Sequence, residues 1–487
     1  MPLQSKLDEL LLMGGVAPPP SSKIEIKGQD PVVDSPYRLG EAGAVSLAAQ
    51  GAAIAALWHL RSGHSQNVAV DVTEAALSLK SVLYLRNRNY EVHFPEPVYP
   101  TIAFYTTRDN RTIMMHGGYP ALRDKLLKLL KCANDTDQIK SAVACWDAGA
   151  LEDAIAEQGG CGTIARSQTE WLDHPQGKAL TATPLLDITR SGNSPLEIPA
   201  RGLRPLSGLR VLDMTHVLAG PTAARVLAEQ GADVLRISSP RRPALQGFIM
   251  DTGHGKLSTM LDLAQEGDAD RFRALLSEAD VLLYSYRPGG LDRLGFSDET
   301  IRKIRPGLIF ASLSCYGEVG PWRDRAGWEQ LAQTATGMAV TQGSTEQPKL
   351  ASVFPNDYIT GYLAAFGILA ALLRRSHEGG SYRVRASLCR TAMWLQSFAP
   401  TPTGQRPGED ALARVAKRLE LSRNTAWGPL TYLGPITRFS ETPPHWERPT
   451  TPLAHDPVLW PAGPRFSSAS PETADEAALY AHEIVQI

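Results

Sequence analysis

The sequence predicts an α/β protein: a doubly wound parallel-sheet domain joined to a small α+β domain. Three observations predict it. From residue 208 onward, buried-type strands alternate with helical stretches at βαβ spacing. Between residues 101 and 190, a hairpin signal precedes several short helical patterns. Finally, residues 41–79 overlay residues 357–395 without a gap, so one helix–strand–helix element occurs twice.

The elements follow in order. Residues 3–13 read as a helix ended by Gly14, Gly15 and the prolines 18, 19 and 20, within a leader of residues 1–35. The first copy of the repeated element occupies residues 36–100. It reads as an alanine-rich helix over 43–60, a turn at Ser62 and Gly63, a strand over 67–72 and a helix over 73–85. Residues 101–190 form the small domain. There IAFYTT and RTIMMH flank a turn at Asp109 and Asn110, and helical patterns cover 121–131, 137–144 and 151–157. Residues 191–207, rich in Ser, Gly and Pro, read as a linker. The domain over 208–398 opens with the strand RVLDM, a helix over 221–230 and the strand DVLRI. A helix over 269–279, DVLLYSY, a helix over 297–304 and LIFASLS continue it. Strands spaced this way need crossover helices, which makes the sheet parallel and puts ligands at its carboxyl ends. The proline-rich tail, 399–487, reads as packing on the fold, with WGPLTYLGPITRF as a strand and 471–487 as a closing helix.

The repeat is in register across helix, turn and strand. Leu47, Ala48, Ala49 and Gly51 fall on Leu363, Ala364, Ala365 and Gly367. Gly63, Ser65 and Val68 fall on Gly379, Ser381 and Val384.

Composition sets limits. Of 487 residues, 43% are hydrophobic and 21% charged, which excludes a disordered chain, a coiled coil or a collagen-like repeat. A net charge of -2 supplies no global attraction to nucleic acid or an anionic membrane, so neither is expected as a partner. No uncharged apolar run approaches the ~18 residues of a membrane span. Asp8 and Glu9 precede only a short apolar stretch, a poor secretion signal. The five cysteines are scattered with no CxxC pair. They predict no disulfide framework, no metal site and a reducing, cytoplasmic setting. The first βαβ unit has no GxGxxG, which disfavours NAD.

Five segments in order resemble the family III CoA-transferases (the CaiB/BaiF family): GLRVLDMTHVLAGPTAARVLAEQGADVLRI, HGKLSTMLDL, VLLYSYRPGGLDRLGF, IRPGLIFASLSCYGEVGPWRDRAGWEQLAQTATG and NDYITGYLAAFGILAALLRR. Residues 36–190 are similar to what normally follows that part, with RDNRTIMMHGGYP and WLDHPQGKAL carrying the match. The chain thus resembles a tandem of two incomplete units. Family members form interlocked dimers, so the resemblance implies either a homodimer or an intrachain pseudo-dimer.

The resemblance implies a CoA-binding α/β domain that moves CoA between an acyl-CoA and a carboxylic acid. Coenzyme A and acyl-CoA would be substrates, with no permanent cofactor. Asp357 matches the family's nucleophile, although an aspartate before a helix is also an ordinary N-cap. Its overlaid residue in the first copy is Glu41; a second nucleophile there is disfavoured, since Glu is longer and its segment lacks the family's upstream half, and a solvated helix start explains it. Glu329 falls at an active-site glutamate, against the alternative of a surface helix carboxylate. Trp328, Tyr316, Gly317 and Gly337 would line the substrate pocket. His216, Val217, Lys256, Ser285, Tyr286 and Arg293 match CoA contacts, with Arg293 for phosphate. The chain departs from formyl-CoA transferase at Leu218, where a glutamine occurs, and at Ser239, where an arginine occurs. The family's glycine loop is not recognisable, and His116, Gly117 and Gly118 are a candidate for it. Two other readings stay open: an acyl-CoA racemase or isomerase, against which Trp328 stands in place of a histidine base, and a non-catalytic CoA-binding scaffold.

Overall fold

The computed structural model describes residues 3–92, 100–402 and 404–467. Seven strands form its large sheet: β1 (Asp187–Gly192), β2 (Arg210–Met214), β3 (Asp233–Ser238), β4 (Lys256–Met260), β5 (Val281–Tyr284), β6 (Ile309–Ser314) and β7 (Ser381–Ser387). Their order is β4-β3-β2-β5-β6-β7-β1. Every pairing is parallel except that of β7 with β1. The inner strands β2 and β5 are buried along their whole length, as strands covered on both faces must be. The order reverses between β2 and β5, so their carboxyl ends open into a crevice. β1 includes residues 191 and 192, where composition predicts linker. Backbone pairing to β7 fixes that strand, and composition does not report such pairing.

The duplicated element is visible in three dimensions. Three helices matter here: α1 (Leu39–Ser62), α2 (Glu329–Ala335) and α3 (Pro355–Glu378). α1 and α3 both have 24 residues and begin and end at overlaid positions. Each stops at a positive-φ glycine, Gly63 or Gly379. Each is followed by a strand and then a helix capped by the strand's last side chain, Asp71 or Ser387. α1 and α3 pack against each other. By length and composition both reach the threshold for crossing a membrane, which the reading of uncharged runs missed; 78% and 100% of their apolar windows lie inside the fold. The copies differ in what surrounds them. β7 joins the large sheet, whereas Val68–Asp71 pairs only with the short strands Ile24–Lys27 and Arg438–Phe439.

The small domain is a hairpin, Ile102–Thr106 with Thr112–His116, turned at Asn110 with φ 56°. A third strand, Gly162–Ile164, was not visible in the sequence pattern. Its core includes Ile113, Met115, Leu126, Ile139 and Leu151. α2 touches both this sheet and α3. The tail wraps the large domain. Asp456 N–H donates to the Ser258 carbonyl at 2.8 Å, and Trp460 Nε1 donates to Leu275 O at 3.0 Å. Gly428–Leu433 forms a strand within the WGPLTYLGP stretch. The closing helix expected at 471–487 lies outside the described residues.

Candidate active site

Two features converge beyond the carboxyl ends of the strands. The first is a pair of buried carboxyl groups. Pro355 opens α3, where its missing N–H costs nothing, and places Asp357 in the first turn. Asp357 is 6% exposed and Glu329, which opens α2, is 2% exposed. Glu329 Oε2 accepts the Asp357 N–H at 2.5 Å, and Oε1 accepts Asn356 Nδ2 at 3.0 Å and Gln333 Nε2 at 2.8 Å. Burial pushes Glu329 up to about 7, against the pull of these donors. Burial, and then the Glu329 charge, push Asp357 well above the carboxylate range. Two carboxyls this close cannot both ionise freely. Glu329 has the donors, so of the two it is the readier to ionise.

Two alternatives raised by the sequence are thereby corrected. Glu329 is no surface carboxylate. Asp357 is no N-cap, since Phe354 holds that position.

The second feature is a cavity of about 50 Å³ at the crevice between β2 and β5. Thr215, His216, Val217, Arg236, Arg242 and Tyr286 line it, together with Tyr119 of the small domain. The His216 ring stacks on Tyr286 at 4.7 Å, and its backbone N–H donates to Ser285 Oγ at 3.1 Å. Burial, helped by the Arg242 charge, lowers His216 to about 4, so it is neutral at pH 7. Val217 has φ 66°, a strained value for a β-branched residue, on the loop that faces the cavity. Beneath this loop Lys256 Nζ bonds Asp213 Oδ2 and the Pro221 carbonyl, both at 2.8 Å. Lys256 is therefore neither a solvated lysine nor a group facing the cavity. It fastens β4 to the end of β2.

Other expected residues lie elsewhere. Arg293 is exposed on the short turn Asp292–Leu294 and is not part of the cavity wall. Tyr316, Gly317 and Gly337 meet the small domain instead of lining the cavity. Gln176 Nε2 donates to Tyr316 O at 2.7 Å, and a Cβ on Gly317 would meet Leu180 at 2.7 Å. Gly337, at φ 95°, lets the Gln168 backbone approach to 2.4 Å of where a Cβ would stand. Trp328 is half-buried beside Glu329, stacked on His116 at 4.3 Å and 5.1 Å from Tyr119. The His116–Gly118 segment is no open loop. His116 N–H donates to Cys161 O at 3.0 Å and Gly117 N–H to Thr101 O at 2.8 Å.

The sequence did not point to Arg236, Arg242 or Tyr119. Arg242 follows three residues after Ser239, where the resemblance loses its arginine, and sits 5.3 Å from the Tyr286 ring. Arg236 donates to Ser258 Oγ and the Thr451 carbonyl and has no carboxylate in ion-pair reach among the described residues. Burial lowers it to about 10, so it stays charged. Two cations on an apolar crevice suit an anionic nucleotide.

The model of CoA-transferase family III matches residues 206–484, more than half of the chain, and the chain belongs to that family. It is similar to the acetyl-coenzyme A transferase nodX of Hypoxylon pulicicidum, 34% identical over 316 residues, covering 60% of this chain and 53% of the relative. A formyl-CoA:oxalate CoA-transferase of Streptomyces avermitilis is 34% identical over 227 residues, covering 42% and 55%. The succinyl-CoA–L-malate CoA-transferase alpha subunit of Chloroflexus aurantiacus is 33% identical over 225 residues, covering 42% and 51%. The chain thus spans about half the length of the curated relatives it matches. Among solved structures, Rv3272 from M. tuberculosis matches at 33% identity and TM-score 0.38, covering 41% of this chain and 56% of that one.

Proposed function

We propose that the chain is a CoA-transferase that moves CoA between an acyl-CoA and a carboxylic acid through Asp357. The carrying observation is the buried Asp357–Glu329 pair, which has no cation in ion-pair reach among the described residues and is linked to the cationic crevice through Trp328 and Tyr119. Glu329 takes the Asp357 proton, and an Asp357 oxygen attacks the thioester carbonyl. The C–S bond breaks and CoA thiolate leaves, with the acyl group held as a mixed anhydride. The thiolate attacks the Asp357 carbonyl carbon, releasing the first acid and forming an aspartyl-CoA thioester. The acceptor carboxylate reverses both steps. One oxygen of the acceptor acid therefore stays on Asp357. A heavy-oxygen acceptor should leave label on the Asp357 peptide after turnover; label found only in water or in the product acids would overturn the reading.

The racemase reading gains a histidine, since His116 stacks on Trp328. Burial lowers that imidazole to about 3, which makes it a poor base for a carbon acid. The substrates are proposed by class alone, an acyl-CoA and a carboxylate. In this reading the chain carries one active centre. The first copy supplies the small domain that covers the second copy's Asp357, as an intrachain pseudo-dimer would.

A further inference from the structure

We infer that Tyr119, donated by the small domain, is a specificity residue that controls which acyl groups pass from the crevice to Asp357. This rests on the acyl-CoA reading of the site. Tyr119 belongs to the cavity wall that holds His216 and Tyr286, and its ring lies 5.1 Å from Trp328. Trp328 directly precedes Glu329, whose carboxylate holds the Asp357 N–H. Tyr119 is thus a cavity-wall ring that also touches the wall of the carboxyl pair. The opposite side of the passage is equally close. A Cβ on Gly361, one turn along α3 from Asp357, would stand 2.6 Å from the Ala219 carbonyl, on the segment that follows the cavity-lining Thr215, His216 and Val217. In this inference an acyl chain carried on a CoA arm runs past the Tyr119–Trp328 pair toward Asp357.

Packing alone does not account for Tyr119. Its hydroxyl has no hydrogen-bond partner among the described residues, although burial, with Tyr286 nearby, pushes the phenol above its ordinary range. Tyr119 is half-buried, and a hydroxyl without a protein partner is free to donate to a ligand acceptor. The amides of the CoA arm and the thioester carbonyl have the acceptor chemistry. His116 stacks on Trp328 and holds that ring in place, which leaves Tyr119 as the adjustable side of the passage.

The test is binding without turnover. Calorimetry compares acetyl-CoA, octanoyl-CoA and free CoA in an Asp357→Asn background, with Tyr, Ala or Trp at position 119. Tyr119→Ala should shift the octanoyl-to-acetyl affinity ratio toward octanoyl by about tenfold, the scale on which a pocket discriminates chain length. Tyr119→Trp should shift it the opposite way, and its answer stands even if the alanine variant fails to fold. Free CoA serves as the reference: any loss common to free CoA and both acyl-CoAs reports the cavity wall, and the octanoyl-to-acetyl ratio reports the gate. An unchanged ratio in both variants overturns the inference and leaves the transferase reading intact. Failure of the Tyr119 parent to bind any CoA species overturns the acyl-CoA reading and this inference with it. Binding with a shifted ratio but no transfer by the unsubstituted enzyme supports the gate and sinks only the transfer step.

Discussion

The two copies of the repeated element hold their long helices with the same device and with exchanged residues. In the second copy the Asp357 N–H donates to Glu329. In the first, the overlaid Glu41 N–H donates to Asp30 Oδ2 at 2.8 Å. A longer acid serves a shorter one in one copy, and the reverse holds in the other. The difference lies in charge. Arg38 Nη1 bonds both Glu41 oxygens, at 3.2 and 3.1 Å, and the Asp30 N–H adds a third donor at 3.2 Å. Burial then pushes Asp30 up to about 6. Glu41 is a carboxylate with a permanent counter-charge and no α/β crevice beside it. Among the described residues Asp357 has neither a cation nor a set of donors of its own. A carboxylate satisfied by guanidinium is a fastening; one kept from full ionisation next to a cleft stores reactivity until substrate arrives.

Substitutions can break this comparison, the most consequential first. Asp357→Asn should lower kcat by at least ~10³-fold in a CoA-exchange assay. Glu329→Gln should lower kcat by ~10²-fold and also change its pH dependence. In the parent enzyme the rate should rise with pH through about 7, as Glu329 ionises and becomes able to take the Asp357 proton. Glu329→Gln should therefore abolish the limb near 7, while burial still holds Asp357 above the carboxylate range. Stability gives an independent reading. Glu329 binds more protons folded than unfolded between 4.5 and about 7, so its contribution to stability falls as pH rises through that window. Glu329→Gln should flatten that fall in denaturant titrations.

Smaller effects sharpen the contrast. Arg242→Ala should raise the Kd for CoA about tenfold, since a charged hydrogen bond is worth about 1.5–3 kcal/mol. Glu41→Gln should leave kcat within about twofold yet cost about 1–3 kcal/mol in urea unfolding, discounted because Arg38 is partly exposed. A large loss of turnover in that variant would mean the first pair is more than a fastening.

Much of this was legible because the signals were local or periodic. The parallel strands read as apolar runs because both of their faces are covered. The duplicated helices read because buried alanine-rich faces repeat in register. Asp357 and Glu329 stood inside recognisable segments. Depth and long-range pairing were not legible. Sequence gives Lys256 its charge and not its burial against Asp213. Gly317 and Gly337 marked backbone crowding, but the crowding comes from the small domain, more than a hundred residues earlier in the chain. Tyr119 meets Trp328 across a still longer separation, so no local pattern could announce it. Arg38 and Glu41 sit three residues apart, and that spacing was the available hint that Glu41 is neutralised.

The central claim is that one carboxyl per chain is reactive and that it belongs to the second copy. Trapping with hydroxylamine during turnover of an acyl-CoA, followed by peptide mapping, tests it most directly. The account predicts a hydroxamate at Asp357, approaching one per chain, and none at Glu41. A hydroxamate at Glu41, or none at either residue in a chain that still transfers CoA, would contradict it.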